Sequence, residues 1–93
     1  MPFNFDIEKT LKEKLEKLSK KDKSLAIQIK KKIEEIVNSD LETIELHYKN
    51  LKYEMSDKKR VHIGKNFVLT FKYFKKESFI LFVDFDHRDK IYR

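Results

Sequence analysis

The chain has 93 residues, 40% of them hydrophobic, and its 22 Lys and Arg residues outnumber 16 Asp and Glu residues for a formal net charge of +6. A chain of this length buries one modest core, so we expect a single domain over residues 1–93. The apolar content excludes a disordered chain, and the absence of Cys excludes disulfides, thiol catalysis and Cys-ligated metal. The excess of positive charge favours a polyanionic partner, either nucleic acid or an acidic protein.

The sequence carries no signal for membrane insertion or export. It contains no run of about 18 apolar residues, the length that a membrane span requires. The N-terminal stretch MPFNFDIEKT lacks the basic start and the long apolar middle of a signal peptide. We therefore expect a cytoplasmic protein without membrane contact.

A short strand followed by a helix is predicted at the N-terminus. Phe3 and Phe5 alternate with a polar residue, which is the period of a strand. Asp6 is a candidate helix N-cap, because its carboxylate can accept a hydrogen bond from a backbone N–H of the first turn. Apolar residues recur at helical spacing over residues 7–18, with Lys and Glu between them, and predict an amphipathic helix.

A second amphipathic helix follows after a short polar break. Either Ser19 or Asp22 is its candidate cap. Its apolar stripe consists of Leu25, Ala26, Ile29, Ile33, Ile36 and Val37. Two helices joined by so short a turn lie antiparallel, so the sequence predicts a helical hairpin. We expect the ten lysines between Lys9 and Lys32 to lie mainly on its solvated faces.

The middle of the chain has a mixed pattern. Residues 41–52 fit neither the helical nor the strand period, and we expect a loop or a short helical turn there. Residues 53–57 indicate the beginning of a strand and then a turn, with Ser56 and Asp57 as the turn residues. His47 has no partner nearby in the sequence, and we expect it at the surface.

Three alternating segments follow and predict an antiparallel meander. The period becomes two from Lys59, and the first turn, residues 64–66, contains the only Gly of the chain. Residues 75–77 form the second turn. Residues 79–85 are apolar at nearly every position, as in a central strand covered on both sides. The expected fold class is α+β, with the helical hairpin packed on one face of a small antiparallel sheet that the N-terminal strand can join.

Arg60 and His62 share one face of the first of these strands, with Lys58, Lys59 and Lys65 nearby. Arg offers phosphate a planar pair of donors, and His can exchange a proton near neutral pH. A phosphate-binding face is one interpretation of this pattern. The other is an exposed strand whose charges prevent pairing with another chain.

A second polar group follows the last strand. His87 and Arg88 stand where a rigid strand gives way to a loop, a frequent location for catalytic side chains. Tyr92 can donate or accept a hydrogen bond through its hydroxyl, or it can cover the core as a C-terminal aromatic.

The acidic residues around this group allow a further interpretation. Asp84, Asp86, His87 and Asp89 offer oxygen and imidazole ligands for a metal. A short acidic cluster beside Arg88 and Lys90 is more typical of ion pairs, so we expect neither a metal site nor another cofactor. Attack by the 2′-hydroxyl of RNA on its own phosphate needs only a base, an acid and charge stabilisation.

These segments together resemble the RelE toxins of type II toxin–antitoxin systems, within the RelE/ParE superfamily. The resemblance covers the charged hairpin, the segment LHYKNLKYEMSDKKRVHIGKNFVLTFKY and the segment FILFVDFDHRDKIYR. Its most specific part is the strand that runs into His-Arg-x-x-Ile-Tyr, which is similar to the His-Arg-x-x-Val-Tyr ending common in these toxins. The resemblance implies two helices on a small antiparallel sheet. It also implies metal-independent cleavage of mRNA in the ribosomal A site, and a RelB-like antitoxin that wraps the toxin in a heterocomplex.

Carried onto this sequence, the resemblance implies catalytic roles for Arg60, His62, His87, Arg88 and Tyr92. Arg60 and His62 stand where family members often place paired basic residues. Arg88 corresponds to the Arg that stabilises the phosphate, and Tyr92 corresponds to the active-site Tyr. His87 resembles a histidine that some relatives use as an acid or a base.

The sequence also departs from the family pattern. A third basic residue is expected in the second strand of the meander, where this chain has Val68, and His62 stands where Lys is common. Lys58, Lys59 and Lys65 are the expected contacts to RNA and the ribosome.

Three functions remain open from the sequence. The first is a ribosome-dependent endoribonuclease that inhibits translation by cleaving mRNA. The second is a ParE-like toxin that acts on DNA gyrase and cleaves no RNA, although the developed basic and aromatic ending weighs against it. The third is a catalytically weakened toxin that serves mainly as the partner of its antitoxin, an interpretation that Val68 favours.

Overall fold

The computed structural model describes residues 3–47 and 58–91. The elements in chain order are β1 (Asn4–Ile7), α1 (Lys9–Lys21), α2 (Lys23–Val37), α3 (Leu41–His47), β2 (Lys58–Ile63), β3 (Phe67–Phe74), β4 (Phe79–His87) and α4 (Arg88–Ile91). The helical hairpin and the meander are therefore confirmed. The predicted strand beginning and turn at residues 53–57, and the position of Tyr92, lie outside the described residues.

The strands form one sheet in the order β1-β4-β3-β2. The three meander strands pair antiparallel, as the short turns predict, and β4 is a central strand. The sheet is nevertheless mixed rather than purely antiparallel, because β1 pairs with β4 in parallel. No tight turn joins β1 to β4, since three helices and the first two meander strands lie between them, so their relative direction is not set locally.

The start of α1 differs from the prediction. Asp6 and Ile7 continue β1, paired with Leu81 and Phe82, and the helix begins only at Lys9. The Glu8 N–H donates to the Phe82 carbonyl at 2.9 Å, which holds this residue against the sheet edge. Asp6 therefore does not cap the helix. Its carboxylate instead lies 3.6 Å from the Lys12 ammonium.

The other helix starts follow local capping chemistry. The Asp22 carboxylate accepts from the Leu25 N–H at 3.1 Å, so Asp22 is the cap of α2, one of the two candidates. The short helix α3 replaces the loop or single turn expected from residue 41 onward. The Asp40 carboxylate accepts from the Thr43 N–H at 2.8 Å at its start, and Ile44 is fully buried.

One face of the sheet packs against α1, α2 and α3. The core there includes Leu11, Ile29, Ile36, Ile44, Leu69, Phe71, Ile80 and Phe82, all fully buried. We call the opposite face the distal face. It carries Lys58, Arg60 and His62 of β2, Val68, Thr70 and Lys72 of β3, and Asp84 and Asp86 of β4. Within the described ranges, no helix is long and apolar enough to cross a membrane.

A β-bulge in β4 decides which of its side chains reach the distal face. Thr70 pairs with Asp84, whereas its neighbour Phe71 pairs with Phe82, so Val83 is an extra residue between them. The extra residue reverses the alternation of β4 beyond this point. Phe82 and Phe85 both face the helices as a result, although three positions separate them.

Candidate nucleic-acid interface

The cationic side chains of β2 divide between the two faces as the period of two predicts. Arg60 and His62 lie on the distal face, and Ile63 is buried on the other side. Arg60 pairs with Thr70, and His62 pairs with Val68. Thr70 in turn pairs with Asp84 of β4, and Val68 pairs with Asp86. The distal face therefore has a basic edge and an acidic centre.

The three lysines expected to contact RNA occupy three different settings. Lys58 lies on the distal face directly opposite Lys72 of β3, so two like charges meet there, which weakens this end of the strand pair. Lys59 lies on the helix-facing side, where burial lowers the pKa of its ammonium and the Glu45 carboxylate partly opposes this shift. Lys65 is exposed in the β2–β3 turn.

The C-terminal helix covers part of the distal face. The Arg88 N–H donates to the Asn66 carbonyl at 2.7 Å, which fixes the beginning of α4 against the β2–β3 turn. Ile91, 8% exposed, then packs on the fully buried Val68. Since Val68 pairs with His62, α4 lies over the face that carries the basic residues of β2. Val68, which replaces the basic residue expected from the family pattern, thus forms the apolar surface on which α4 packs.

His87 lies on the other side of the sheet from His62. It pairs with Phe67, and the two rings meet edge to face with centroids 5.7 Å apart. Phe67 packs against the helix-facing core, stacked on Phe85. The His87 Nδ1 accepts from the Asp89 N–H at 3.3 Å. The structure therefore brings Arg60, His62 and α4 to one face and places the His87 ring on the opposite one.

A lysine that the sequence analysis did not select controls the charge of this region. The Lys14 Nζ of α1 lies 2.7 Å from an Asp84 carboxylate oxygen and 3.2 Å from one of Asp86, and it donates to the Phe85 carbonyl at 3.2 Å. β1 has ended at Ile7, opposite Phe82, so this edge of β4 is open to the lysine. One of the two negative charges at the acidic centre of the distal face is thereby balanced from the edge of the sheet.

The pKa shifts follow from this contact. Burial by itself lowers the pKa of Lys14, but its hydrogen bonds to the two carboxylates outweigh burial and raise the pKa above its ordinary value. Burial likewise raises the pKa of Asp86. The His87 N–H and the Lys14 ammonium outweigh that effect and hold the pKa of Asp86 below its usual range.

The remaining charges of the acidic cluster also form ion pairs. Asp86 lies 3.9 Å from the Lys90 ammonium, and Asp89 lies 4.0 Å from the Arg88 Nε. This is the ion-pair interpretation of the cluster. In the described part of the chain, no group of three or more His, Cys, Asp or Glu side chains is arranged to hold a metal ion.

The comparisons with known proteins agree with this architecture. No family model matches the sequence. Among curated proteins, the chain is 44% identical over 91 residues to "Putative toxin RelE4" of Methanocaldococcus jannaschii, covering 98% of this chain and 92% of that protein. It is 42% identical over 86 residues to an uncharacterised protein of Methanosarcina mazei, covering 92% and 94% respectively.

Solved structures share the fold at low sequence identity. YafQ of Escherichia coli superposes with a TM-score of 0.74 at 13% identity, over 98% of this chain and 99% of that one. The toxin–antitoxin complex RelBE2 of Mycobacterium tuberculosis contains a chain that matches with a TM-score of 0.63 at 19% identity, over 95% and 100%. HP0892 of Helicobacter pylori matches with a TM-score of 0.63 at 18% identity, over 96% and 98%.

These structural matches define the fold class as a helical hairpin on a small mixed sheet, shared with YafQ, the RelBE2 chain and HP0892. The identity to the M. jannaschii relative extends over almost the whole of both chains. The chain belongs to the RelE family and is a toxin of a toxin–antitoxin system.

Proposed function

We propose that this protein is a ribosome-dependent endoribonuclease that inhibits translation by cleaving mRNA in the ribosomal A site, without a metal. The observation that carries the proposal is the packing of Ile91 on Val68, which lays α4 over the face of Arg60 and His62. A phosphate on this face meets cations from β2.

The reaction in this proposal is an internal transfer at phosphorus. The substrate 2′-hydroxyl attacks the adjacent phosphorus, the bond to the 5′-oxygen of the next nucleotide breaks, and a 2′,3′-cyclic phosphate forms. His62 takes the proton of the 2′-hydroxyl, because it shares the distal face with Arg60. Arg60 and Arg88 stabilise the charge on the phosphorane, and Tyr92 orients the substrate.

His87 is the second candidate for proton transfer. Its Nδ1 is engaged by the Asp89 N–H, and its ring lies against Phe67 on the helix-facing side. From there it can serve the leaving 5′-oxygen only if the RNA passes around the end of the sheet. We therefore assign the general base to His62 and keep His87 as the candidate acid.

The decisive experiment maps cleavage of a ribosome-bound message by primer extension, with the same RNA free of ribosomes as the control. Cleavage at A-site codons is expected in the ribosome-bound sample alone. Arg88→Ala should abolish it without changing the fold, because Arg88 is exposed. An intact message in the presence of wild-type protein would overturn the proposal. Supercoiling defects with an intact message would favour action on gyrase, and normal growth during expression would favour a weakened toxin.

We also propose that the cellular partner is a RelB-like antitoxin, as in the RelBE2 complex of M. tuberculosis. A groove between α1 and α2 of about 480 Å³ fits an acidic amphipathic helix. Its floor is apolar, with Leu15, Ala26 and the 45% exposed Ile27, and Lys23 and Lys30 stand beside them. Ile27→Asp should weaken co-purification with the antitoxin when the two proteins are expressed together. Unchanged recovery of the antitoxin would place its binding site elsewhere.

A further inference from the structure

A second groove lies between α1 and the end of the sheet, next to the candidate site. It has a volume of about 260 Å³, below the roughly 300–1,000 Å³ of a pocket for a drug-sized molecule. Its lining includes the stacked rings of Phe67 and Phe85, whose centroids are 5.2 Å apart with 12° between their planes. Phe67 is only half-buried, so part of this ring remains accessible. The groove therefore accommodates one flat ring and little more.

The wall of this groove is cationic. Lys14, Lys17 and Lys21 line it from α1, and their spacing of three and four residues places them on one side of the helix. Lys14 is engaged by Asp84 and Asp86, and its single positive charge reduces the negative charge that Asp86 brings to the groove lining. No ion pair within residues 3–47 and 58–91 involves the other two lysines.

An aromatic surface beside spaced cations is the chemistry by which proteins hold single-stranded nucleic acid. The base stacks on the ring, and the lysines neutralise the flanking phosphates. We propose that this groove binds one unstacked base of a single-stranded RNA, with Lys17 and Lys21 on the adjacent phosphates. The inference rests on the proposed function, since it adds a subsite to the same RNA path.

Continuity with the candidate site favours RNA over a peptide as the occupant. The ring of Phe67 contacts the ring of His87 with centroids 5.7 Å apart. Asn66, its neighbour, accepts the hydrogen bond of the Arg88 N–H. A strand that leaves Arg88 around the end of the sheet thus meets Phe67 directly. The subsite lies on the opposite face from Arg60 and His62, so it contacts RNA outside the cleaved step.

The test measures binding of a fluorescent single-stranded oligoribonucleotide to the full chain, without ribosomes, over a series of salt concentrations. Polyphosphate serves as a polyanion without bases. The variant Lys17→Met/Lys21→Met should reduce the slope of log K against log salt by about 1.4, since each phosphate contact on a single strand contributes about 0.7. The matched variant Lys9→Met/Lys20→Met makes the same charge change on the same helix outside the groove and should leave the slope nearly unchanged.

The aromatic surface is tested separately. Phe67→Leu should weaken the binding of the oligonucleotide by about 5- to 100-fold, the range for loss of one stacked base, and should leave polyphosphate binding unchanged. Phe67→Tyr keeps the ring and should bind as the wild type does. Thermal unfolding of each variant verifies that the fold is retained.

Three results would overturn the subsite. In the first, the slope falls equally in both lysine pairs. In the second, Phe67→Leu weakens the binding of polyphosphate as much as that of RNA. In the third, the groove variants lose only the binding of the antitoxin. The proposed function fails independently of these results. A wild-type protein that binds the oligonucleotide through Phe67 yet leaves the ribosome-bound message intact keeps the subsite and loses the A-site cleavage.

Discussion

Lys14 and Asp84 are 70 positions apart in the chain and form a contact of 2.7 Å that joins α1 to the open edge of β4. The same ammonium lies 3.2 Å from Asp86 and bonds the Phe85 carbonyl at the point where β1 no longer covers the strand. One side chain thus forms ion pairs with two carboxylates and donates to a backbone carbonyl beyond the end of β1. Both the stability of the sheet edge and the charge of the distal face depend on it.

Lys14→Met should lower the free energy of unfolding by about 0.5–2 kcal/mol, because two partly exposed ion pairs are lost. Two neighbouring carboxylates then repel each other, so adding Asp84→Asn and Asp86→Asn should restore part of the loss. Chemical denaturation of the three proteins measures this. A triple variant no more stable than Lys14→Met would show that Lys14 acts through its packing rather than its charge. Lys20→Met is the matched control on the same helix.

The pH dependence of stability should show this contact at both ends. The folded pKa of Asp86 lies below its ordinary value of 3.8, so its contribution is present above that pH and is lost as the pH falls through the folded pKa. The folded pKa of Lys14 lies above 10.5, so its contribution is present below that pH and is lost as the pH rises through the folded pKa. Thermal unfolding should give a plateau between these limits. In Lys14→Met the folded pKa of Asp86 rises toward its ordinary value, so the loss of stability on the acid side should be smaller and end at a higher pH. An acid loss as large as that of the wild type would contradict the assignment.

The packing of α4 on the sheet can be tested through Val68 and Ile91. Val68→Ala and Ile91→Ala should each lower the free energy of unfolding by about 1–3 kcal/mol, because each removes buried methyl groups from a small cluster away from the main core. The double variant should cost less than the sum by 0.5 kcal/mol or more, since the first substitution already loses the shared contact. Urea unfolding provides the three values. If the two changes in the free energy of unfolding simply add, α4 is not held on the sheet by the contact between Val68 and Ile91.

The two histidines should differ in their effect on cleavage. His62→Ala should reduce the single-turnover rate on ribosome-bound mRNA by about 10²–10⁴, the range for loss of a general base. His87→Ala should reduce it less than His62→Ala does, because the His87 ring can serve the leaving 5′-oxygen only if the RNA passes around the end of the sheet. The two variants differ only in the face of the sheet from which an imidazole is removed. A loss from His87→Ala larger than that from His62→Ala would contradict the assignment of His62 as the general base.

Local patterns account for much of this protein. The period of 3.6 located the helical hairpin, and the period of two located the meander and placed Arg60 and His62 together on one face. The side chain of Asp22 fixed the start of α2 through a contact three residues away. The family resemblance, carried by the ending His87-Arg88-x-x-Ile91-Tyr92, is confirmed by a relative that matches almost the whole chain.

The sequence alone determined the helical hairpin, the meander, the fold class and the distal position of the basic strand, because these depend on neighbours a few residues apart. It did not determine α3 or α4, since a loop or a short helical turn was expected at the first place and a loop at the second. The tertiary structure decided what depends on distant pairing. Asp6 does not begin a helix, because β1 pairs in parallel with β4 and includes this residue. The bulge at Val83 turns His87 toward the helices, and Asp84 and Asp86 toward the distal face. Alternating apolar residues cannot reveal one extra residue in a strand that is apolar on both sides. Nor can they reveal that Lys14 reaches the far end of β4, since that contact exists only once α1 has packed on the sheet.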